Sequence, residues 1–192
     1  MPNADCTGRP SGWDRRWSWR RRTSWPWKTS SARSGPRVIT TCGKPGLIRF
    51  LVSLLDLHGL GESCLVVVGA TSADVAGRQV QTIQGHPSAP ETLRLVEEAI
   101  GAEESILVLV EAPADDLVPA DLLAAYARFV SFRSYLIVLG TVLGQPWLGY
   151  SNRWYLTAIR RFLAGGAPFV IEHSHDQQLI SFCASGYLRR TR

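Results

Sequence analysis

The stretch from Ile106 to Thr141, ILVLVEAPADDLVPADLLAAYARFVSFRSYLIVLGT, decides the fold of this chain. Near its two ends, ILVLV and YLIV are continuous apolar runs, which are typical of strands covered on both faces of a parallel sheet. The segment PADLLAAYARFVS between them predicts a helix. A strand, a helix and a second strand in this order predict a parallel pair joined by a right-handed crossover.

The same alternation continues on both sides of this stretch. RVITTCG, CLVVVGA and QVQTIQG predict three earlier strands, and LIRFLVSLLDLHGLG predicts a helix with an apolar face at Leu47, Phe50, Leu51, Leu54 and Leu55. SAPETLRLVEEAIG predicts a second helix, with Ser88 as N-cap, Pro90 in the first turn and Glu91 completing a capping box. A further helix is predicted in RWYLTAIRRFLAGG, and FVIEHSH and LISFCASGYLRR predict a closing antiparallel pair.

These elements predict an α/β fold with a mostly parallel sheet, helices on both faces and a C-terminal antiparallel hairpin. The order suits a Rossmann-like methyltransferase sheet as well as a dinucleotide-binding fold. We therefore expect one domain over residues 37–192, preceded by a leader over residues 1–36.

The net charge of +5 and the pI of about 9.3 belong to the leader rather than to the domain. Nine of the 21 Lys and Arg residues lie at or before Arg37, and the rest of the chain is close to neutral. WDRRWSWRRRTSWPWK interleaves tryptophans with arginines, as a surface for nucleic acid or an anionic membrane does. Because residues 1–36 show no hydrophobic periodicity, the favoured interpretation is a disordered leader, or a sequence produced by a wrong start or reading frame. Nucleic acid is therefore not an expected partner of the domain.

Cysteine spacing and hydropathy bear on the compartment. The four cysteines form no CxxC pair, which favours thiols in a reducing environment. The chain has neither an apolar run of about 18 residues nor an apolar segment following the N-terminal arginines. We therefore expect a cytoplasmic protein without a transmembrane segment.

Five segments, taken in order, resemble the cephalosporin hydroxylase / rhamnosyl O-methyltransferase family. IQGHPSAPETLRLVEE is similar to the family's strand, turn and helix, and ILVLVEAPADD stands where the family has an apolar strand followed by Asp-Ser-Asp-His. LLAAYARFVSFRSYLIVLGT, AIRRFLAGGAPFVIE and SGYLRR are similar to its later segments. The resemblance implies an S-adenosylmethionine-dependent enzyme, or a relative of one, that transfers a methyl group to a sugar hydroxyl of a small natural product or glycolipid.

The resemblance also implies where the cofactor binds. In the family, a Gly-rich turn after the first strand approaches the methionine part of S-adenosylmethionine, and here Thr41, Gly43 and Gly46 occupy that turn. In Rossmann-like sites an acidic residue after the second strand binds the ribose, and here Ala70 and Thr71 stand in that loop.

The implied metal and catalytic positions are only partly kept. Glu111 retains a carboxylate at the first position of the Asp-Ser-Asp-His motif, and Thr141 retains the last residue of the family's Glu-Asp-Thr. Gly140 replaces the aspartate before it, so Glu111 and Thr141 are the candidate catalytic residues, and Glu111 and Asp115 are the candidate metal ligands. They make a poor Mg²⁺ site, since Mg²⁺ prefers several hard oxygens. A non-catalytic member of the family, acting as a partner subunit or homo-oligomer, is the alternative.

Two further segments carry candidate groups. In EHSHD, His173 and His175 would share one face of a strand and could ligate a metal with a carboxylate, although a polar strand end is the favoured interpretation. In GQPWLGYSNRWY, aromatic side chains including Trp154 and Tyr155 line either an acceptor pocket or a dimer contact.

Overall fold

The computed structural model describes most of the domain. The described residues are 37–41, 43–60, 63–69, 80–101, 105–111, 120–144, 154–175 and 182–192. The predicted leader, residues 1–36, lies outside them. Within the described residues no helix is long and apolar enough to cross a bilayer. Cys64 and Cys183 are buried and form no disulfide, as predicted for these two.

Seven strands of the described residues form one sheet in the order β3-β2-β1-β4-β5-β7-β6. The first five strands are mutually parallel, whereas β7 runs antiparallel to both β5 and β6. The predicted α/β class, with a C-terminal antiparallel hairpin, is therefore confirmed. The strands are β1 (Arg37–Thr40), β2 (Leu65–Val68), β3 (Val80–Ile83), β4 (Ile106–Val110), β5 (Tyr135–Val138), β6 (Phe169–Ile171) and β7 (Tyr187–Arg190).

Helices pack on both faces of this sheet. One face carries α2, α3 and α4, and the other carries α1. Alternate residues of β4 point to the two faces: Val108 and Val110 join the first cluster, and Leu107 and Leu109 join the second. This double burial explains why the strand is apolar at every position. The helices are α1 (Pro45–Leu57), α2 (Pro90–Ile100), α3 (Ala120–Ala127) and α4 (Trp154–Ala164).

Two helix predictions were wrong in detail. The N-cap of α2 is Ala89 with no side-chain cap, and the Ser88 N–H instead donates to His86 Nδ1 at 3.3 Å. Pro90 holds the residue before it in an extended conformation, so the helix begins one residue later than a Ser88 cap requires. In α1, Phe50 is 53% exposed. The buried stripe is Ile48, Leu51 and Leu55, and Phe50 is rotated away from it.

The C-terminal hairpin is shorter than the apolar pattern predicts. β6 ends at Ile171, and His173–His175 form a 3-10 turn, so the two histidines do not share a strand face. The Glu172 N–H donates to Tyr187 O at 2.8 Å, which is the last rung of this ladder. The segment before β7 forms a turn, in which the Gly186 N–H donates to Cys183 O at 2.7 Å. No strand precedes β7 there among the described residues.

The order of the strands reverses between β1 and β4. The chain leaving β1 enters α1 on one face, and the described helix after β4, α3, packs on the other. In doubly wound sheets, ligands bind outside the carboxyl ends of the strands at this switch point. The ends of β1 and β4 are therefore where a site is expected.

Gly186 is predicted to tolerate no side chain. A Cβ there would meet the carbonyl oxygen of Val138, and would lie 3.0 Å from Cys183 O and 3.1 Å from Thr141 Cγ2. Gly186→Ala should lower the free energy of unfolding by roughly 1–3 kcal/mol, measured by denaturant titration, because the backbone has to shift.

Gly46→Ala is the matched control, since nothing lies within 4 Å of a Cβ at that position. This helical site should keep its stability or gain up to about 1 kcal/mol. Equal midpoints for the two variants would contradict the predicted close packing at Gly186.

Candidate functional site

A threonine joins the carboxyl ends of β1 and β4. The Thr41 N–H donates to Leu109 O at 3.1 Å and so extends the β1–β4 ladder by one residue. The Thr41 hydroxyl then bonds to both backbone groups of Glu111: it donates to the carbonyl oxygen and accepts from the N–H, each at 3.1 Å. Thr41 is buried, and its hydroxyl therefore fixes where Glu111 leaves the sheet.

An ion pair lies directly above this link. Lys44 Nζ donates to Glu111 Oε1 at 2.6 Å. The Glu111 side chain is 13% exposed and that of Lys44 is 71% exposed, so the lysine reaches from the surface to a mostly buried carboxylate. Lys44 is also the N-cap of α1, with Pro45 after it and no side-chain cap. The pair therefore joins the start of α1 to the end of β4.

A buried phenol completes the group. Tyr155 lies in the first turn of α4 and is 7% exposed. A Cβ on Gly140, the last residue before Thr141, would lie 3.5 Å from the Tyr155 hydroxyl. Burial raises the pKa of the Tyr155 phenol, Glu111 raises it further and Lys44 lowers it. We call Thr41, Lys44, Glu111 and Tyr155 the switch-point site.

Thr141 lies close by but is fully buried. It begins a 3-10 turn, Thr141–Gly144, after β5. Its methyl group faces Gly186, since a Cβ on Gly186 would lie 3.1 Å from Thr141 Cγ2. Its hydroxyl has no hydrogen-bond partner in the described part of the chain. Any ligand that reached this hydroxyl would have to pass the residues that cover it.

The structure brings together part of the predicted site. Glu111, Thr41 and Gly43 lie at the ends of β4 and β1, and Gly46 is the second residue of α1, with open space where a Cβ would be. The predicted cofactor residues Ala70 and Thr71 and the predicted metal ligand Asp115 lie outside the described residues.

Sequence analysis missed the role of Lys44. It placed Tyr155 both at the start of a predicted helix and at the end of an aromatic segment. Tyr155 belongs to α4, where it faces the ion pair. The signal for Lys44 was its place between Gly43 and Pro45, just before a predicted helix and just after a predicted strand. Nothing in the local pattern indicates that its partner stands 67 residues later.

The described part of the EHSHD segment, residues 172–175, contributes to a second polar cluster, on the C-terminal hairpin. His175 Nε2 lies 3.2 Å from the Tyr135 hydroxyl, and the His175 ring packs against Tyr187 at a centroid distance of 5.1 Å. Glu172 Oε2 lies 3.3 Å from Arg189 Nε. No three His, Cys, Asp or Glu side chains within the described ranges are grouped to hold a metal ion. His175 therefore contributes to packing in this arrangement.

Comparison with known proteins places the chain in a family. The model of the family described as Rhamnosyl O-methyltransferase/CmcI matches residues 69–191, which is 123 of the 192 residues. The chain belongs to this family. Comparison with curated proteins gives no significant match.

Solved structures of CmcI have a similar fold. An apo structure of CmcI has a TM-score of 0.56 at 13% identity, and covers 82% of this chain and 64% of its own. A CmcI structure with Mg and SAM has a TM-score of 0.59 at 12% identity, over 81% of this chain and 65% of its own. A third, with SAH, has a TM-score of 0.52 at 11% identity, over 81% and 69%. At this identity the likeness shows the fold alone, and the chain spans less than two thirds of the first two.

The Thr41 hydroxyl should contribute measurably to stability. Thr41→Val keeps the shape of the side chain but leaves the N–H and the carbonyl of Glu111 without their shared partner. We expect the free energy of unfolding to fall by about 1–3 kcal/mol in denaturant titration. Thr41→Ser keeps the hydroxyl and should retain more of the stability. A valine variant more stable than the serine variant would contradict the role of this hydrogen-bonded link.

The raised pKa of Tyr155 predicts a loss of stability at high pH. An unfolded chain ionises its tyrosines near pH 10, whereas folded Tyr155 holds its proton longer. This contribution is complete below the unfolded pKa and is lost as pH rises through the folded one. Unfolding followed from about pH 8 to about pH 11 should show a smaller loss for Tyr155→Phe than for the wild type. An equal loss in both proteins would contradict this prediction.

Proposed function

We propose that this protein is an S-adenosylmethionine-dependent O-methyltransferase that acts on a sugar hydroxyl of a small natural product or glycolipid. The observation that carries the proposal is the switch-point site, which places a mostly buried carboxylate at the reversal of the strand order. Family membership supports methyl transfer as the reaction. A cytoplasmic location and assembly into a homo-oligomer or with a partner subunit are parts of the same proposal.

The start of α1 fits the methionine part of the cofactor. The helix begins directly after the turn that follows β1, and no side chain caps it. Backbone N–H groups of a first helical turn, together with the helix dipole, favour a carboxylate. The open space at Gly46 leaves room for such a group to approach the backbone. Gly43 and Gly46 would lie against it, while Thr41, whose hydroxyl is bonded to Glu111, would support the turn from below.

The remaining cofactor contacts are proposed from position in the sheet. β2 ends at Val68, and the next residue, Gly69, has a positive φ of 80°; a Cβ there would lie 3.5 Å from Pro87 Cγ. Ala70 and Thr71 follow it and would lie beside the ribose, because loops after β1 and β2 share one edge of the sheet.

The chain's own groups would act on the acceptor. Bound S-adenosylmethionine supplies a methyl group on a sulfonium, so that the S–C bond breaks, a C–O bond forms and the hydroxyl releases its proton. Glu111 would accept a hydrogen bond from that hydroxyl and take the proton as the C–O bond forms. Lys44 would hold the carboxylate in place, and Thr141 would position the turn after β5 from its buried site.

A non-catalytic role is the second candidate. Glu111 already bonds to Lys44, and Gly140 stands at the position where the resembled family has an aspartate. A family member whose carboxylate is engaged in this way would keep the scaffold and serve as a partner subunit. Binding to nucleic acid or membranes through the leader is a weaker alternative that falls outside the described residues.

Calorimetry with S-adenosylmethionine tests the proposed cofactor site. We expect saturable binding by the full chain, and at least about tenfold weaker binding by Gly46→Leu, because the side chain would fill the space beside the first turn of α1. Ser53→Leu is the matched control, since Ser53 is exposed on the same helix about 10 Å further along it. It should bind like the wild type.

The outcomes separate the two candidates. Absence of binding at millimolar S-adenosylmethionine would contradict the enzyme proposal and favour the partner-subunit role. Equal loss of binding in both leucine variants would place the cofactor away from the start of α1.

A further inference from the structure

The resemblance implies a divalent metal, and the donor groups at the switch-point site do not fit one. The first metal-ligand position keeps a carboxylate in Glu111, but the second is Gly140, which has no side chain. Within the described ranges no third acidic or imidazole ligand is grouped with Glu111. Mg²⁺ prefers near-octahedral coordination by several oxygens, and the single carboxylate that the described residues place here does not supply this.

The backbone at Gly140 also disfavours a ligand side chain at that position. The Tyr155 hydroxyl lies 3.5 Å from where a Cβ on Gly140 would be, and the phenol is buried there. A Cβ on residue 140 would already be in van der Waals contact with Tyr155, and the φ of 78° at Gly140 disfavours any side chain. The absence of a carboxylate at residue 140 therefore agrees with the local backbone conformation and with the position of the phenol.

Lys44 supplies the positive charge instead. Its ammonium group lies 2.6 Å from Glu111 Oε1, within the distance of a short charge-assisted hydrogen bond. A divalent ion on the same oxygen would be repelled by that ammonium, or would have to displace it. The Lys44 side chain is largely exposed, whereas the Glu111 carboxylate is mostly buried. The fixed position of Glu111 therefore determines where the ion pair forms.

We propose that Lys44 is the resident cation of this site: it neutralises and orients Glu111 in place of a divalent metal, and the protein binds its ligands without Mg²⁺. The role in methyl transfer rests on the proposed function. That Glu111 pairs with a lysine instead of a metal is independent of the proposed function, and it can be measured without any cofactor.

Manganese binding tests the metal part directly. Electron paramagnetic resonance titration of Mn²⁺ into the full chain and into Glu111→Gln should give the same curve, because Glu111 contributes no metal site. The melting temperature of the wild type should also be the same in EDTA and in Mg²⁺. Saturable Mn²⁺ binding that Glu111→Gln abolishes would overturn the proposal.

A double-mutant cycle tests the role of Lys44. Lys44→Met and Glu111→Gln should each lower the unfolding midpoint, and the double variant should lose less than the sum, because neither partner is then left alone. The matched control is Arg94→Met with Glu98→Gln, an exposed pair within α2 whose losses should be nearly additive. Additive losses at Lys44 and Glu111 would overturn the proposal.

The cofactor experiment separates this proposal from the proposed function. If the wild type binds S-adenosylmethionine, its affinity should be equal in EDTA and in Mg²⁺. A tenfold weaker affinity in EDTA would overturn the proposal that Lys44 replaces the metal. If no S-adenosylmethionine binds under either condition, the proposed function fails, and the Mn²⁺ titration and the mutant cycle still decide the role of Lys44.

Discussion

Two hydrogen bonds at one hydroxyl hold the site to the sheet. The Thr41 hydroxyl accepts from the N–H of Glu111 and donates to its carbonyl, and so links the ends of β1 and β4 where the order of the strands reverses. At such a reversal the sheet ladder ends and backbone groups would otherwise lose their partners. The position of the Glu111 carboxylate, and with it the ion pair to Lys44, depends on this link.

One lysine neutralises the negative charge of the Glu111 carboxylate. A mostly buried carboxylate is costly unless a positive charge and hydrogen bonds compensate it. Lys44 provides both from the start of α1. The buried phenol of Tyr155 interacts electrostatically with both members of the ion pair. Gly140, which stands where the resembled family has an aspartate, and Lys44 at the start of α1 therefore both affect the surroundings of Glu111, although they lie almost 100 residues apart in the chain. At the start of α1, nothing lies within 4 Å of where a Cβ on Gly46 would be.

Much of the fold could be predicted from the sequence, because each central strand is apolar at every position and each helix has an apolar stripe. The errors occurred where a proline or a tight turn ends an element at a different residue from the one that the hydrophobic pattern indicates. Pro90 moved the cap of α2 from Ser88 to Ala89, and the turn at Gly186 ended the ladder before the two histidines of the hairpin. Of the switch-point site, Glu111 and Thr41 were predicted as site residues by position, and this role stays a prediction. Lys44 was not predicted, because its partner is distant in sequence.

By itself, the sequence determined the α/β alternation, the parallel core strands and the family, since periodicity and apolar runs are local properties of the chain. Only the tertiary structure decided which charged groups meet. Lys44 and Glu111 are 67 residues apart, and they touch because β1 and β4 are neighbours at the reversal of the strand order. Side-chain partners at a switch point follow from the pairing of strands, which no local pattern specifies.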